Sequence, residues 1–306
     1  MAKRIILCCD GTGQEFEANK ANPLRLHYCL ENGTDQVSFY DPGVGTFDPE
    51  GKDHNASWLG DIVSSISTKA FGGGLGHGIV RNIADGYRYL MNTYEEGDTV
   101  YLFGFSRGAF TAQAIAGMLT KCGLLGANAD NLVPYALRIY LKKGNPRIAR
   151  EFKETMAREC RPLMIGVWDT VKSLDDSFDD DFFYGNTADN CTHGYHAVSI
   201  DERRDNFVPS LWVPAGNGQE VWFAGAHSDV GGGYRKDGLA NCALQWMIGK
   251  ARDHGVTFKE ERVGEFQCDP GGETHFPREE WWRNILGEEG RDLAPGSLIH
   301  QSVEDR

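Results

Sequence analysis

Short apolar runs alternate along this chain with longer stretches in which apolar residues recur every third or fourth position. The runs at residues 3–9, 37–40, 99–103, 162–168 and 220–226 are rich in Ile, Val, Leu, Phe, Tyr and Trp, and most end at Gly, Pro or Asp. Runs of this length, apolar without interruption, predict strands buried on both faces. Between them, Ile79, Ile83, Tyr87, Leu90 and Met91 fall on one face of a helix over 79–94. Further helices are predicted at 109–119, 132–141, 146–158 and 242–252, and a short one starting at 195–200. Residues 72–78 carry five glycines and read as the most flexible part of a loop.

Strands alternating with helices predict an α/β architecture: a mostly parallel central sheet covered by helices on both faces. There is no internal repeat and no linker that divides the chain, so one domain is expected over 1–306. Segments at about 46–78, 127–160 and 255–298 are candidate inserts or lids. The two helices of 132–158 either flank the sheet or cover a site. After Gly255 the pattern is no longer legible.

In a parallel sheet, reactive groups gather beyond the carboxyl ends of the strands. Four predicted strands end in polar turns: Asp10-Gly11-Thr12-Gly13, Ser106, Asp169-Thr170 and His227-Ser228-Asp229. Side chains far apart in sequence would meet along one edge. Among these turns, Gly104-Phe105-Ser106-Arg107-Gly108 stands between an apolar strand and a helical stretch. Strand, G-x-S-x-G, helix is the nucleophile elbow of α/β-hydrolases. The glycines are needed because side chains there would collide with the neighbouring strand and helix.

A serine hydroxyl becomes nucleophilic when a base takes its proton, and that base needs a carboxylate to orient it. The chain order Ser106, Asp169, His227 matches the hydrolase order, with His227 as base and Asp169 as acid. Asp229 is the rival acid, and it would need a later histidine such as His300. The oxyanion would be held by the Arg107 N–H and by that of Gly11 or Thr12. Asp10 either supports that loop or contacts substrate, and Phe105 is a further candidate contact. Cys9-Asp10-Gly11-Thr12 also resembles the D-x-D-G-T of aspartyl-phosphate phosphatases, but Cys8 stands at the nucleophile position.

The net charge of −13 argues against nucleic acid and anionic lipid surfaces as electrostatic partners. At 41% hydrophobic and 25% charged, the 306 residues can bury a full core. No apolar run is long enough to span a membrane, and the one near the N-terminus is too short for a signal peptide. The eight cysteines form no C-x-x-C and fit a reducing compartment. A cytoplasmic protein needing no cofactor or metal is therefore expected. Its substrate would be a small-molecule or lipid ester.

Several motifs resemble those of the bacterial and fungal α/β-hydrolase family that includes the class 1 type VI secretion lipase effectors. They are Asp10-Gly11-Thr12-Gly13, Gly43-Val44-Gly45-Thr46, Leu102 to Ala109, Gly166-Val167-Trp168-Asp169-Thr170-Val171, His196 to Arg204, and His227-Ser228-Asp229-Val230-Gly231-Gly232-Gly233-Tyr234. The resemblance runs over about residues 3–250, with a weaker match at 300–303. It implies an α/β-hydrolase fold, phospholipase or esterase activity, and Ser106, Asp169 and His227 as triad. Where the family usually has Gly-Ser after its D-T-V, this chain has Lys172-Ser173, which makes Lys172 a candidate substrate contact. The sequence lacks the extra domain with which the secreted lipases reach membranes, so a soluble ester is as good an expectation as a phospholipid. Two other classes of function remain as alternatives: a metal-dependent phosphoesterase at the same strand ends, and a catalytically weak module that binds a lipid or acyl ligand.

Overall fold

The computed structural model describes residues 2–11, 20–43, 74–141, 146–171, 187–204, 207–212, 217–275 and 291–306. Its centre is a seven-stranded sheet in which every pairing is parallel. In chain order the elements are β1 (Arg4–Cys9), α1 (Asn22–Cys29), β2 (Gln36–Asp41), α2 (Gly74–Thr93), β3 (Thr99–Phe105) and α3 (Arg107–Cys122). A small two-stranded sheet, β4 (Leu124–Leu125) with β5 (Ala157–Arg158), encloses α4 (Val133–Leu141) and α5 (Pro146–Met156). Then come β6 (Met164–Trp168), β7 (His193–Ser199), β8 (Gly218–Phe223), α6 (His227–Gly231), α7 (Gly238–Asp253), α8 (Glu260–Val263), β9 (Leu298–Ile299) and α9 (Gln301–Glu304).

The large sheet runs β2-β1-β3-β6-β7-β8-β9. Alternation along each strand explains why both faces must be covered. Ile5, Leu7, Cys9, Val100 and Leu102 pack into one core with α2, α3 and α4. Ile6, Cys8, Tyr101, Phe103 and Phe105 pack into the other with α1 and α7. The predicted two-sided parallel sheet is thus what the chain builds. Strand order reverses at β1, which has β2 on one side and β3 on the other, so the chain leaves these neighbours toward opposite faces. The crevice beyond the carboxyl ends of β1 and β3 is where a ligand site is expected, and it is where Asp10 and Ser106 stand.

Three expectations are corrected. Of residues 195–200, read as the start of a helix, all but Ile200 belong to β7, whose Tyr195 and Val198 pair with Gln219 and Trp222 of β8. Burial on both faces erased the alternation that would have identified a strand. Residues 74–78, read as flexible loop, form the first turns of α2. Cys242 and Cys268 form a disulfide, whereas a fully reduced set was expected; the other six cysteines are buried thiols.

Of the candidate inserts, 127–160 contributes Val133, Leu137, Tyr140 and Phe152 to the core beside α3. Val256, Phe258 and Val263 join the opposite core. Most of 46–78, and residues 276–290, lie outside the described residues. Among the described residues, no helix is long and apolar enough to cross a membrane.

Candidate active site

Only Ser106 separates the end of β3 from the start of α3. It takes φ 55° and ψ −122°, a region costing a non-glycine residue about 1–3 kcal/mol. The turn is fastened by Ser106 N–H to Trp168 O at 3.1 Å and Phe110 N–H to Ser106 O at 3.3 Å. Its glycines are steric necessities. A Cβ on Gly104 would overlap the Gly108 backbone, and one on Gly108 would overlap the carbonyls of Cys9 and Asp10. Arg107 is the first residue of the sixteen-residue α3, where N–H groups have no intrahelical acceptor and the helix dipole is positive.

On the adjacent strand, β6 pairs Trp168 with Phe105, so Asp169 and Ser106 leave the sheet side by side. Asp169 is fully buried with φ 38°. Its turn is buttressed by Asp169 N–H to Ala197 O at 2.7 Å. Thr170 N–H donates to His196 Nε2 at 3.2 Å, and Gln113 Nε2 donates to Thr170 Oγ1 at 3.0 Å.

His227 opens α6, just after β8, and its Nδ1 lies 2.6 Å from Asp169 Oδ2. The imidazole is held by two aromatic rings, Phe105 at 4.5 Å and Phe207 edge-on at 4.9 Å. Its backbone N–H donates to Glu202 Oε2 at 3.2 Å. Two further side chains meet the Asp169–His227 pair: Arg291, which no sequence pattern singles out, and Glu202, which falls in the His196 to Arg204 motif without an assigned role. Arg291 places Nη1 at 2.5 Å from Asp169 Oδ1 and Nη2 at 3.2 Å from Oδ2. Glu202 is bound by the guanidinium of Arg204, at 2.8 Å from each of its oxygens. Burial by itself would raise the pKa of Asp169, but Arg291 and then His227 outweigh it and hold the carboxyl well below its ordinary value. Glu202 is likewise lowered against its burial by Arg204.

Asp10 closes the crevice on the β1 side. It accepts Gly11 N–H at 2.9 Å and Tyr40 O–H at 2.9 Å. Burial lifts its pKa to about 7 despite those bonds. Gly11 abuts the serine: a Cβ there would stand 3.6 Å from Ser106 Cβ. Its N–H, one of two candidates for the second oxyanion donor, is occupied by Asp10. Thr12, the other, and Lys172 lie outside the described residues. Phe105, expected to touch substrate, is buried under the imidazole.

The rival acid has a histidine, though not the expected one. His275 Nδ1 lies 2.6 Å from Asp229 Oδ1, and the His275 N–H donates to Oδ2 at 2.9 Å. His300 instead contacts Ser302 Oγ through Nδ1 at 2.8 Å and stacks on Phe223. Asp229 also receives the Ala226 N–H at 3.0 Å, so it caps the helix that presents His227. Among the described residues, no three His, Cys, Asp or Glu side chains are grouped to hold a metal ion.

The family match agrees with this architecture. A family model described as "T6SS, Phospholipase effector Tle1-like, catalytic domain" matches residues 3–250. A Saccharomyces cerevisiae protein described as "Uncharacterized protein YEL023C" is 33% identical over 227 residues, covering 69% of this chain and 33% of the yeast protein. The chain thus spans about a third of that relative's length. Among solved structures, an uncharacterized protein from Pseudomonas aeruginosa is 19% identical with a TM-score of 0.49, over 88% of this chain and 49% of the other. The Tle1 effector in its complex with the VgrG spike of the type VI secretion system is 16% identical with a TM-score of 0.39, over 76% and 51%. By the family match, the chain belongs to the Tle1-like catalytic domains of type VI secretion phospholipase effectors.

Proposed function

We propose that this protein is a serine hydrolase that cleaves carboxylic esters, phospholipid acyl esters among them, through Ser106, His227 and Asp169. The observation that carries this reading is the 2.6 Å contact from Asp169 to His227, made beside a serine held in a strained strand-to-helix turn. Asp169 takes the Nδ1–H and so fixes the tautomer in which Nε2 is the free base. Nε2 accepts the Ser106 proton as Oγ bonds to the ester carbonyl carbon. The carbonyl oxygen, now an anion, is received by Arg107 N–H at the positive end of α3. A second donor comes from the loop after β1; with Gly11 occupied by Asp10, Thr12 is our assignment. The imidazolium returns its proton to the leaving alkoxide as the ester C–O bond breaks. Water, deprotonated by the same Nε2, then hydrolyses the acyl-enzyme.

The assay uses two substrates, one lipid and one soluble. Wild-type protein, Ser106→Ala and His227→Ala are treated with a fluorophosphonate probe, and the adduct is located by intact mass and peptide mapping. The expected result is one adduct on Ser106, absent from both variants. A folded wild type that takes no adduct overturns the assignment. Release of fatty acid from phosphatidylcholine vesicles, measured beside hydrolysis of a short p-nitrophenyl ester, then separates phospholipid from soluble ester.

A further inference from the structure

Acyl transfer requires no cation on the triad carboxylate. Backbone donors suffice to hold it, and Ser199 N–H already meets Asp169 Oδ1 at 2.9 Å. Yet the Arg291 guanidinium, nearly buried, is placed against that carboxylate with every Nη bond directed into the site. Beyond both oxygens of Asp169, Nη1 reaches Ser199 Oγ at 2.6 Å and Ser199 O at 2.9 Å, and Nη2 reaches Phe207 O at 2.5 Å. Phe207 in turn packs on the His227 ring. One side chain therefore joins the acid, the end of β7 and the segment that flanks the base. Desolvating a guanidinium is expensive, and the cost is repaid only by bonds of this quality.

We propose that Arg291 is a positioning residue of the catalytic centre: its guanidinium pins the Asp169 carboxylate against Ser199 and Phe207 and matches the charge that faces His227. The inference rests on the Ser106–His227–Asp169 reading. A guanidinium on the carboxylate holds it ionised into acid and offsets part of the negative charge that the triad histidine faces. The other acidic groups around the base each have a hydrogen-bonding partner of their own. Glu202, under the His227 N–H, is bound to Arg204. Asp229, on the same helix, is bound to His275, which stacks on Tyr234. Asp10, across Ser106, is bound to Tyr40. Among the described residues, Arg291 is the cationic side chain in direct contact with the Asp169–His227 pair.

Arg291 lies outside the stretch matched by the family model, which ends at residue 250. Residues 291–299 lead from the catalytic aspartate to β9, the edge strand beside β8. The C-terminal segment thus supplies part of the catalytic centre.

The test compares kcat and KM across pH for wild type, Arg291→Gln and Arg291→Lys with a soluble p-nitrophenyl ester. In Arg291→Gln the acid limb of kcat/KM moves up by about one pH unit, so that activity near pH 6 falls about tenfold further than activity near pH 8.5. Arg291→Lys keeps the charge but not the planar fork. Its limb stays near that of wild type while kcat drops about fivefold at unchanged KM. Arg291→Gln with an unmoved limb overturns the proposal, whether its kcat is normal or is lowered equally at all pH. Arg291→Lys indistinguishable from wild type overturns it also if Arg291→Gln does not fold. The low-field Nδ1–H resonance of His227 reads the contact without turnover: a shift in Arg291→Lys supports the proposal, and an unchanged resonance counts against it. If wild-type Ser106 takes no fluorophosphonate, the triad reading fails, and this resonance still tests the Arg291 contact separately.

Discussion

Two histidine–aspartate pairs sit at the ends of neighbouring elements, and their contacts have the same length. His227 and Asp169 are 2.6 Å apart, and so are His275 and Asp229. What differs is the surroundings. Asp169 ends β6, one strand from Ser106, and takes a second cationic partner in Arg291. Asp229 lies in the first turn of α6 and spends its other oxygen on the N–H groups of Ala226 and His275. The first pair is gripped by Phe105 and Phe207, while His275 is partly exposed on Tyr234. A short Nδ1 contact is therefore not by itself a sign of catalysis. Under the proposed mechanism, position beside Ser106 and the charge behind the carboxylate set the base apart from a structural clasp.

Substituting the two acids gives the largest contrast. Asp169→Asn should lower kcat/KM by about four orders of magnitude, because the amide favours the wrong tautomer of His227. Asp229→Asn should lower it less than tenfold. Ester hydrolysis at pH 8 decides, and the reverse ranking would make His275 the base and Asp229 its acid. A second contrast uses the disulfide. Cys268 precedes His275 on the segment that Cys242 tethers to α7, whereas Asp169 is held by His227 and Arg291. Cys268→Ser should cost about 3 kcal/mol for opening a closed loop with a separation of 26 residues, measured by urea unfolding. Ser106 labelling below the transition should be unaffected.

Asp10 sharpens the comparison from another side, as a third buried aspartate with no cation bonded to it. Its carboxyl is raised from 3.8 to about 7, mainly by burial, where that of Asp169 is lowered. The two signs are opposite. A raised carboxyl binds its proton more tightly in the folded state, so its stabilising effect is complete below about pH 4 and is lost as pH climbs to about 7. Asp169 contributes above about pH 4 and loses its contribution as pH falls. Asp10→Asn, which resembles the protonated acid, should gain about 3 kcal/mol relative to wild type between pH 4 and 7. A constant difference across that interval in urea titrations would show that Asp10 is ionised throughout.

The sequence disclosed the scaffold because its signals are local. Apolar runs ending in Asp10, Ser106 and Asp169 mark strand ends, and a parallel sheet brings those ends together without further information. His227 was legible because it follows such a run. Arg291, His275 and Glu202 carried no such signal. Arg291 and His275 lie in the stretch after Gly255, where no periodicity places a residue on a face, and an arginine between Gly290 and Asp292 looks like any surface charge. Their contacts reach back more than a hundred residues for Arg291 and dozens for His275, and such long-range contacts follow from tertiary packing alone. Glu202 falls in the His196 to Arg204 motif that carries the resemblance, but no role attached to it until its carboxylate met Arg204 and the His227 backbone. The pairing of Asp229 with a later histidine was anticipated, but His300 was named where His275 serves, since sequence order does not say which loop folds back.

The smallest effect is expected from His275→Gln, and it decides whether the second pair matters to the first. The Asp229 carboxylate would keep the Ala226 N–H and the backbone N–H of residue 275, and glutamine could return part of the lost bond. Removing a partner from a buried acceptor that keeps other donors costs about 1 kcal/mol. Activity should fall no more than twofold, because α6 stays capped and His227 stays on Asp169. A much larger loss of kcat, with Ser106 still reactive toward fluorophosphonate, would place His275 on the substrate, its exposed ring then serving the leaving group or head group. Equal loss of kcat and of labelling would instead mean that Asp229 positions α6 only while His275 holds it. The clasp would then be coupled to the base through Ser228, the one residue between Asp229 and His227.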